Sequence, residues 1–347
     1  MSSTPAISIL TPVWNGLPYI KETVASVLAQ EFQNWEMVIA DNASDDGTSE
    51  YLRSLTDPRI KVHRHSENVG VYRNIYFLFN HASAPIWTGL CADDYFYNKD
   101  SLQQIVDEWA KAGPEVGFMT FNWKSRQMKH NRLMKFSQEI LPHTLGGLNA
   151  AFAFFLFGNF PGNFSEISSR VPLVTNEHFL YHVKYSADYE FWLRLIKRNS
   201  LYLSDNDVVY IRRHDRVAAT YVITKGEYHE ESIEIYEKII DELSEYSNRR
   251  KLIAFYNIEI CSYHLRDALK SALKGRFTAF KSFMRLKSPI FWPTGLQLLG
   301  CLPFALSESL RYPISVMLAK NILKTKKTNV STANEMSRTL SKELTVK

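Results

Sequence analysis

Met37-Val38-Ile39-Ala40 runs without a break into Asp41-Asn42-Ala43-Ser44-Asp45-Asp46-Gly47-Thr48. A short apolar run stopped by polar turn residues reads as a buried strand ending in a loop. The same pattern recurs on both sides. Ile7-Ser8-Ile9-Leu10 is stopped by Thr11-Pro12, Ile60–His65 reads as a strand, and Ile86–Leu90 runs into Cys91-Ala92-Asp93-Asp94. Val116–Phe121 is strand-like again. Between these runs, helical spacing of apolar residues predicts helices over Leu17–Ala29, Thr48–Leu55, Val71–Asn80 and Leu102–Ala110.

Strands alternating with helices predict an α/β domain with a mainly parallel sheet, and in such sheets ligands bind beyond the carboxyl ends of the strands. Asp41 and the pair Asp93-Asp94 each fall where a strand ends, which places both on one rim. Paired aspartates there suit Mg²⁺ or Mn²⁺, hard cations that hold phosphates with one or two carboxylates and water. They suit a turn or a helix cap equally well, because Asp favours both. Asp41 has the same two readings, a turn residue or a carboxylate that accepts hydrogen bonds from a nucleobase. Asp45-Asp46-Gly47 is ordinary turn sequence, with Asp46 placed to cap the next helix.

The composition fits a folded protein of about two domains. The 347 residues carry 41 Lys and Arg against 36 Asp and Glu, a net charge of +5. That figure conceals a division at Leu269: residues 1–269 sum to −6 and residues 270–347 to +11. The C-terminal part is therefore expected to meet something anionic. Cys91, Cys261 and Cys301 are widely spaced and form no CxxC or Cys/His cluster, which argues against a structural zinc site or a disulfide framework. No basic, apolar leader is evident from Met1 to Ala6, so a cytoplasmic setting is expected.

Asp188–Ile196 reads as a helix with Asp188 at its start. That position gives a favourable carboxylate against the helix dipole, or a general base for an attacking hydroxyl. Val208–Ile211 is strand-like and leads into Arg212-Arg213-His214, a loop that could clamp phosphates or simply be solvated. Phe152, Phe154, Phe155 and Phe157 read as core ahead of the aromatic and Gly-rich stretch Gly158–Phe164.

Taken in order, these segments resemble the inverting family 2 glycosyltransferases of bacterial surface-polysaccharide synthesis, which have the GT-A fold and use nucleotide-sugar donors. The resemblance covers about Ala6–Ala219 and rests on Ile7–Asn15, Leu17–Phe32, Glu36–Thr48 and Asn68–Asn74, followed by the acidic pair and the Asp188 helix. It implies that Thr11, Pro12, Asn15, Asp41, Arg73, Asp93, Arg213 and His214 bind the nucleotide sugar. Within that set Asp41 meets the base, Asp93 meets the ribose, and Arg213 with His214 closes on the diphosphate. Asp94 is implied as ligand of a divalent cation and Asp188 as the base, with Glu190 as the fallback. Two positions depart from the pattern: Cys91 stands where the metal motif often has an acid, and Ala187 where many members have Glu. These losses keep open a second reading, a sugar-nucleotide-binding or scaffold relative without catalysis.

The expected organisation is a GT-A domain over 1–225, a helical region over 226–323 and a basic tail over 324–347. Lys270–Lys287 reads as one basic amphipathic helix, with Leu269, Leu273, Phe277, Phe280 and Met284 at helical spacing. The uncharged stretch Ser288–Ser307 follows, interrupted by Pro and Gly, and reads better as an interfacial segment than as a span. The expected partners are a nucleotide-sugar donor, a glycan or lipid-linked acceptor and an anionic membrane surface through 270–323. Nucleic acid is not expected, because no recognisable binding motif is present.

Overall fold

The structure is a computed structural model, and it describes residues 4–122, 132–175, 179, 187–212, 228–275, 277–285 and 295–327. Its strands are β1 (Ile7–Val13), β2 (Trp35–Asp41), β3 (Ile60–Arg64), β4 (Ile86–Gly89), β5 (Tyr95–Phe96), β6 (Val116–Thr120), β7 (Thr144–Leu145), β8 (Ile167–Arg170), β9 (Ser200–Leu203) and β10 (Val209–Tyr210). Eight form one sheet in the order β3-β2-β1-β4-β8-β6-β9-β7, and β10 pairs with β5 apart from it. The pairs of β1 with β2 and β4, of β2 with β3, and of β6 with β9 are parallel. Strand β8 runs antiparallel between β4 and β6, so the expected parallel sheet is complete in its first half and mixed in its second.

The leading strands are apolar on both sides because both sides are covered. In β1 and β2, Ile7, Ile9, Met37 and Ile39 enter one core, and Leu10, Val38 and Ala40 enter the other. The first core is closed by α1 (Leu17–Leu28) and α4 (Ser101–Lys111) through Ile20, Val24, Val27, Ile105 and Trp109. Helix α2 (Thr48–Arg53) adds Leu52 to it. The second core is closed by α3 (Val71–His81), α5 (Arg132–Ile140), α6 (Gly147–Phe157), α7 (Val171–Thr175) and α8 (Ala187–Ile196). Phe152, Phe154, Phe155 and Phe157 are buried there, as core residues should be.

Strand β1 extends past its expected end, through Thr11 and Pro12. Leu10 O accepts from Leu90 N–H and Val13 O accepts from Asn42 N–H. Leu10 and Pro12 therefore turn their backbone polar groups toward β4, and β4 pairs with β1 only as far as Leu10. Proline sits at a position where no ladder bond is lost.

Beyond the sheet lie α9 (Tyr228–Leu243), α10 (Arg249–Phe255), a π turn (Tyr256–Cys261), α11 (Ser262–Leu273), α12 (Phe277–Arg285), α13 (Gly295–Leu306) and α14 (Glu308–Lys327). Ile239, Leu252, Phe255, Phe283, Ala305 and Ile322 from these elements join the same core as α6 and α8. The helix expected over Lys270–Lys287 is two helices. Helix α11 ends at Leu273, and Gly275 then takes φ +76°, a left-handed turn that stops a helix readily because glycine has no Cβ to clash. Helix α14 continues through Lys327, so the first residues of the expected tail are helical. The rest of that tail, and Ser288–Thr294 of the expected interfacial segment, lie outside the described residues.

Candidate active site

The strand ends of β2, β1 and β4 lie side by side and form the rim that carries the acidic clusters. Parallel register sets Asp41 beside Arg64 of β3. Asp41 is buried, and its Oδ1 accepts from Ser44 N–H at 2.9 Å. Its Oδ2 accepts from Arg64 Nη1 at 3.0 Å and from the Ser49 hydroxyl. The following loop is tied to the end of β1. Asn15 N–H donates to Ser44 Oγ, and Asp45 N–H donates to Asn15 Oδ1, both at 2.9 Å. Asp46 holds Leu17 N–H at 3.1 Å and Thr48 N–H at 3.0 Å. Burial raises its pKa, but these donors outweigh that and hold it below the usual carboxylate value, so Asp46 is a structural turn residue. Gly47, at φ 92°, supplies the left-handed entry to α2.

The second cluster follows β4. Thr23 of α1 donates its hydroxyl to the carbonyls of Ala92 and Asp94 at 2.8 and 2.7 Å. Asp94 is buried. Its Oδ2 accepts the Ser165 hydroxyl at 2.6 Å, and its Oδ1 accepts Arg212 N–H at 2.9 Å. Burial pushes its pKa up to about 7; the Ser165 bond opposes that rise and the neighbouring Asp93 charge adds to it. Asp93 is half-buried. The Arg212 guanidinium bonds the Asp93 carbonyl at 3.0 Å and the Glu22 carboxylate, and lies over the rings of Tyr19 and Tyr95.

Ligand atoms of Cys91, Asp93 and Asp94 all lie within 4.8 Å of one another. Burial, with the charges of Asp94 and Asp93, raises the Cys91 thiol well above its usual value and keeps it neutral. Two close carboxylates beside a neutral thiol make a donor set for a hard divalent cation, so the residues present fit Mg²⁺ or Mn²⁺.

Asp188 opens α8, where the helix N-terminus favours a carboxylate. Asn159 Nδ2 donates to Asp188 Oδ2 at 3.0 Å. Burial raises the Asp188 pKa, opposed by backbone donors at the helix start and by Asn159. Tyr72 of α3 lies beside it; burial and the Asp188 charge keep the phenol protonated. Glu190, the fallback base, is paired with Arg194 one turn on, at 3.0 Å.

One segment, Gly158–Glu166 between α6 and β8, joins the two acidic centres. Asn159 reaches Asp188, Ser165 reaches Asp94 and Cys91 N–H, and Asn163 Oδ1 lies 3.7 Å from Cys91 Sγ. Asn159, Asn163, Ser165 and Thr23 are site residues that sequence reasoning did not single out, and Arg212, read as part of a phosphate-clamping loop, instead holds Asp93, Asp94 and Glu22. The nearest signal was Asn163-Phe164-Ser165-Glu166, a capping-box sequence that the structure forms. Gly89 permits the close approach, because a Cβ there would stand 2.2 Å from the Phe164 carbonyl oxygen.

Of the other expected residues, Thr11 is buried and its hydroxyl has no partner among the described residues. Pro12 and Asn15 are half-buried at the rim, and Arg73 is exposed in the first turn of α3. Arg213 and His214 lie outside the described residues.

The chain matches the family description Glycosyl transferase family 2 over residues 8–183. It is 44% identical over 105 residues to the putative teichuronic acid biosynthesis glycosyltransferase TuaG of Bacillus subtilis, covering 30% of this chain and 41% of that protein. It is 38% identical over 98 residues to the putative colanic acid biosynthesis glycosyl transferase WcaA of Escherichia coli, covering 27% of this chain and 34% of that protein. Each match thus spans less than half of its relative. Among solved structures, S. aureus TarS 1–349 in complex with UDP-GlcNAc superposes with a TM-score of 0.53 at 15% identity, covering 95% of this chain and 91% of that one. The mannosyltransferase PcManGT from Pyrobaculum calidifontis, in complex with GDP-Man and Mn²⁺, gives 0.52 at 16% identity, covering 94% and 87%. These likenesses establish the GT-A fold, and with the match over half its length the chain belongs to glycosyltransferase family 2.

Proposed function

We propose that the chain transfers a sugar from a nucleoside-diphosphate donor, a UDP-sugar in the first instance, to an acceptor hydroxyl with inversion. Its place would be bacterial surface-polysaccharide or lipid-linked glycan synthesis, at the cytoplasmic side of the membrane. The observation that carries this reading is the Gly158–Glu166 segment, which braces Asp188 and Asp94 at once.

Asp41 meets the base, with Thr11, Pro12, Asn15 and Arg73 around the nucleoside, and Arg213 with His214 covers the diphosphate. Asp93 and Asp94 would hold a divalent cation, Asp93 with the more exposed carboxylate and Asp94 with one fixed by Ser165 and Arg212. When bound, that cation would neutralise charge on the leaving diphosphate. Asp188 takes the proton of the acceptor hydroxyl as its oxygen attacks the sugar C1 from the face opposite the leaving nucleotide. Its raised pKa makes it a stronger base than a solvated carboxylate. Glu190 is the poorer candidate because Arg194 neutralises it.

The test is Asp188→Asn, assayed for transfer and for thermal stabilisation by UDP-sugars with Mn²⁺ or Mg²⁺. Transfer is expected to vanish while donor stabilisation stays near that of the parent; full transfer by the variant would overturn the assignment. The basic C-terminal region over 270–323 is assigned to an anionic membrane surface.

A further inference from the structure

Helices α13 and α14 are separated only by Ser307, and helical bonding crosses the junction. Ser307 N–H donates to Pro303 O at 3.0 Å, and Arg311 N–H donates to Ser307 O at 3.1 Å. The inward face of this stretch carries Cys301, Ala305, Arg311, Ser315, Ala319 and Ile322, all buried. Arg311 and the Ser315 hydroxyl both reach Glu259, at 3.3 and 2.6 Å, and fix that face against the π turn.

The outward face carries Leu299, Pro303, Leu306, Leu310, Pro313 and Met317, all exposed. Steps of four and three residues repeat along the whole set, which is the spacing of one helical stripe. Leu306 is 72% exposed, Leu299 66% and Met317 53%. At 1.5 Å per residue the stripe is about 27 Å long, and it contains no charge. A contiguous exposed apolar face of that size marks an interaction surface.

Its neighbours are basic. Helix α11 packs against both α12 and α13, and brings exposed Lys270 and Lys274. Lys281 of α12 is exposed, and around the Gly275 turn Leu273 and Phe277 stand 88% and 57% exposed. No described helix is long and apolar enough to cross a membrane.

We propose that the Leu299–Met317 stripe lies in the plane of an anionic bilayer, its apolar side chains at the acyl boundary and the lysines among the headgroups. Leu273 and Phe277 insert beside it. This deepens the membrane reading above and rests on it. A second copy of the chain would set +11 against +11 across residues 270–347, whereas anionic headgroups neutralise that charge. An apolar helical face packed beside a helix that bears exposed lysines suits a monotopic anchor.

The test is flotation of the full chain with vesicles of phosphatidylcholine, alone or mixed with phosphatidylglycerol. Partition onto the mixed vesicles is expected to be at least about tenfold stronger and to fall with added salt. Leu306→Glu with Leu310→Glu should lower it about tenfold or more without lowering Tm, since both side chains are exposed. Lys270→Glu with Lys274→Glu should lower it on mixed vesicles only. Thermal stabilisation by donor should be unchanged in both, and Asp188→Asn should float like the parent, so a failed catalytic assignment and a failed membrane assignment are distinguishable. Equal partition onto both vesicle types, or of parent and stripe variant, would overturn the proposal. So would a dimer seen by sedimentation velocity that the stripe variant abolishes.

Discussion

Replacing Asn159 by Ala removes the side-chain donor that holds the proposed base. The bond is 3.0 Å from Nδ2 to Asp188 Oδ2, and it opposes the rise in pKa that burial imposes. Hydrogen bonds to charged groups contribute roughly 1.5–3 kcal/mol. Asp188 is half-buried, so the lower end applies. About 1.4 kcal/mol corresponds to one pKa unit. The base acts when deprotonated, so activity is present above its pKa and lost as pH falls through it. Asn159→Ala should therefore move the acid limb of kcat/KM upward by about one unit. Rates should be roughly tenfold below the parent well under the limb and close to the parent well above it. The assay is the full pH profile at saturating cation, with donor affinity measured at each pH. A loss of equal size at every pH, with the limb unmoved, would refute the argument and leave Asn159 a role in packing alone.

Three further outcomes follow from the site. Because Asp94 is raised to about 7, the folded state binds its proton more tightly than the unfolded chain. Its stabilising contribution is present at low pH and lost as pH rises toward neutrality. With cation chelated, Tm should fall across that window, Mn²⁺ should restore it, and Asp94→Asn should flatten the chelated curve; an unchanged slope in Asp94→Asn would count against it. Gly89→Ala sets a Cβ against the Phe164 carbonyl, so it should cost about 1–3 kcal/mol in urea unfolding and lose transfer by displacing Ser165; wild-type stability would show that the segment yields freely. Arg64→Ala leaves the buried Asp41 carboxylate without its cation and should weaken donor binding about fivefold by calorimetry, near 1 kcal/mol, while Arg249→Ala, which breaks an exposed pair with Asp241, should leave it unchanged.

What was legible in the sequence was what local chemistry decides. Val38–Ala40 is apolar on both faces because two cores need it, and Asp41 ends that run because the strand leaves the core there. The two-residue strands β5 and β7 carry too little periodicity to be read, and they form because distant partners pair with them: β5 with β10, which lies inside the strand-like Val208–Ile211, and β7 with β9. The segment Lys270–Lys287 reads as one helix for the opposite reason: its apolar spacing runs unbroken across Gly275, and only the backbone conformation there reveals two helices, with Leu273 and Phe277 exposed around the turn.

The site divides along the same line. Aspartates at strand ends stand out because an acid beside an apolar run is conspicuous. Asn159 and Ser165 sit among glycine and proline, where Asn and Ser are ordinary turn residues. Their significance comes from a segment that returns to β4 after the chain has built β6, α5 and α6. Only Gly89, with no side chain to block it, lets that segment close on the acidic pair. The choice of Asp188 over Glu190 was partly readable, since Glu190 and Arg194 are one helical turn apart and such pairs meet on a helix surface. A base must be free of a neutralising cation. Of the two acids at the start of α8, Asp188 is the one held by a neutral amide, Asn159, and Glu190 is held by a guanidinium.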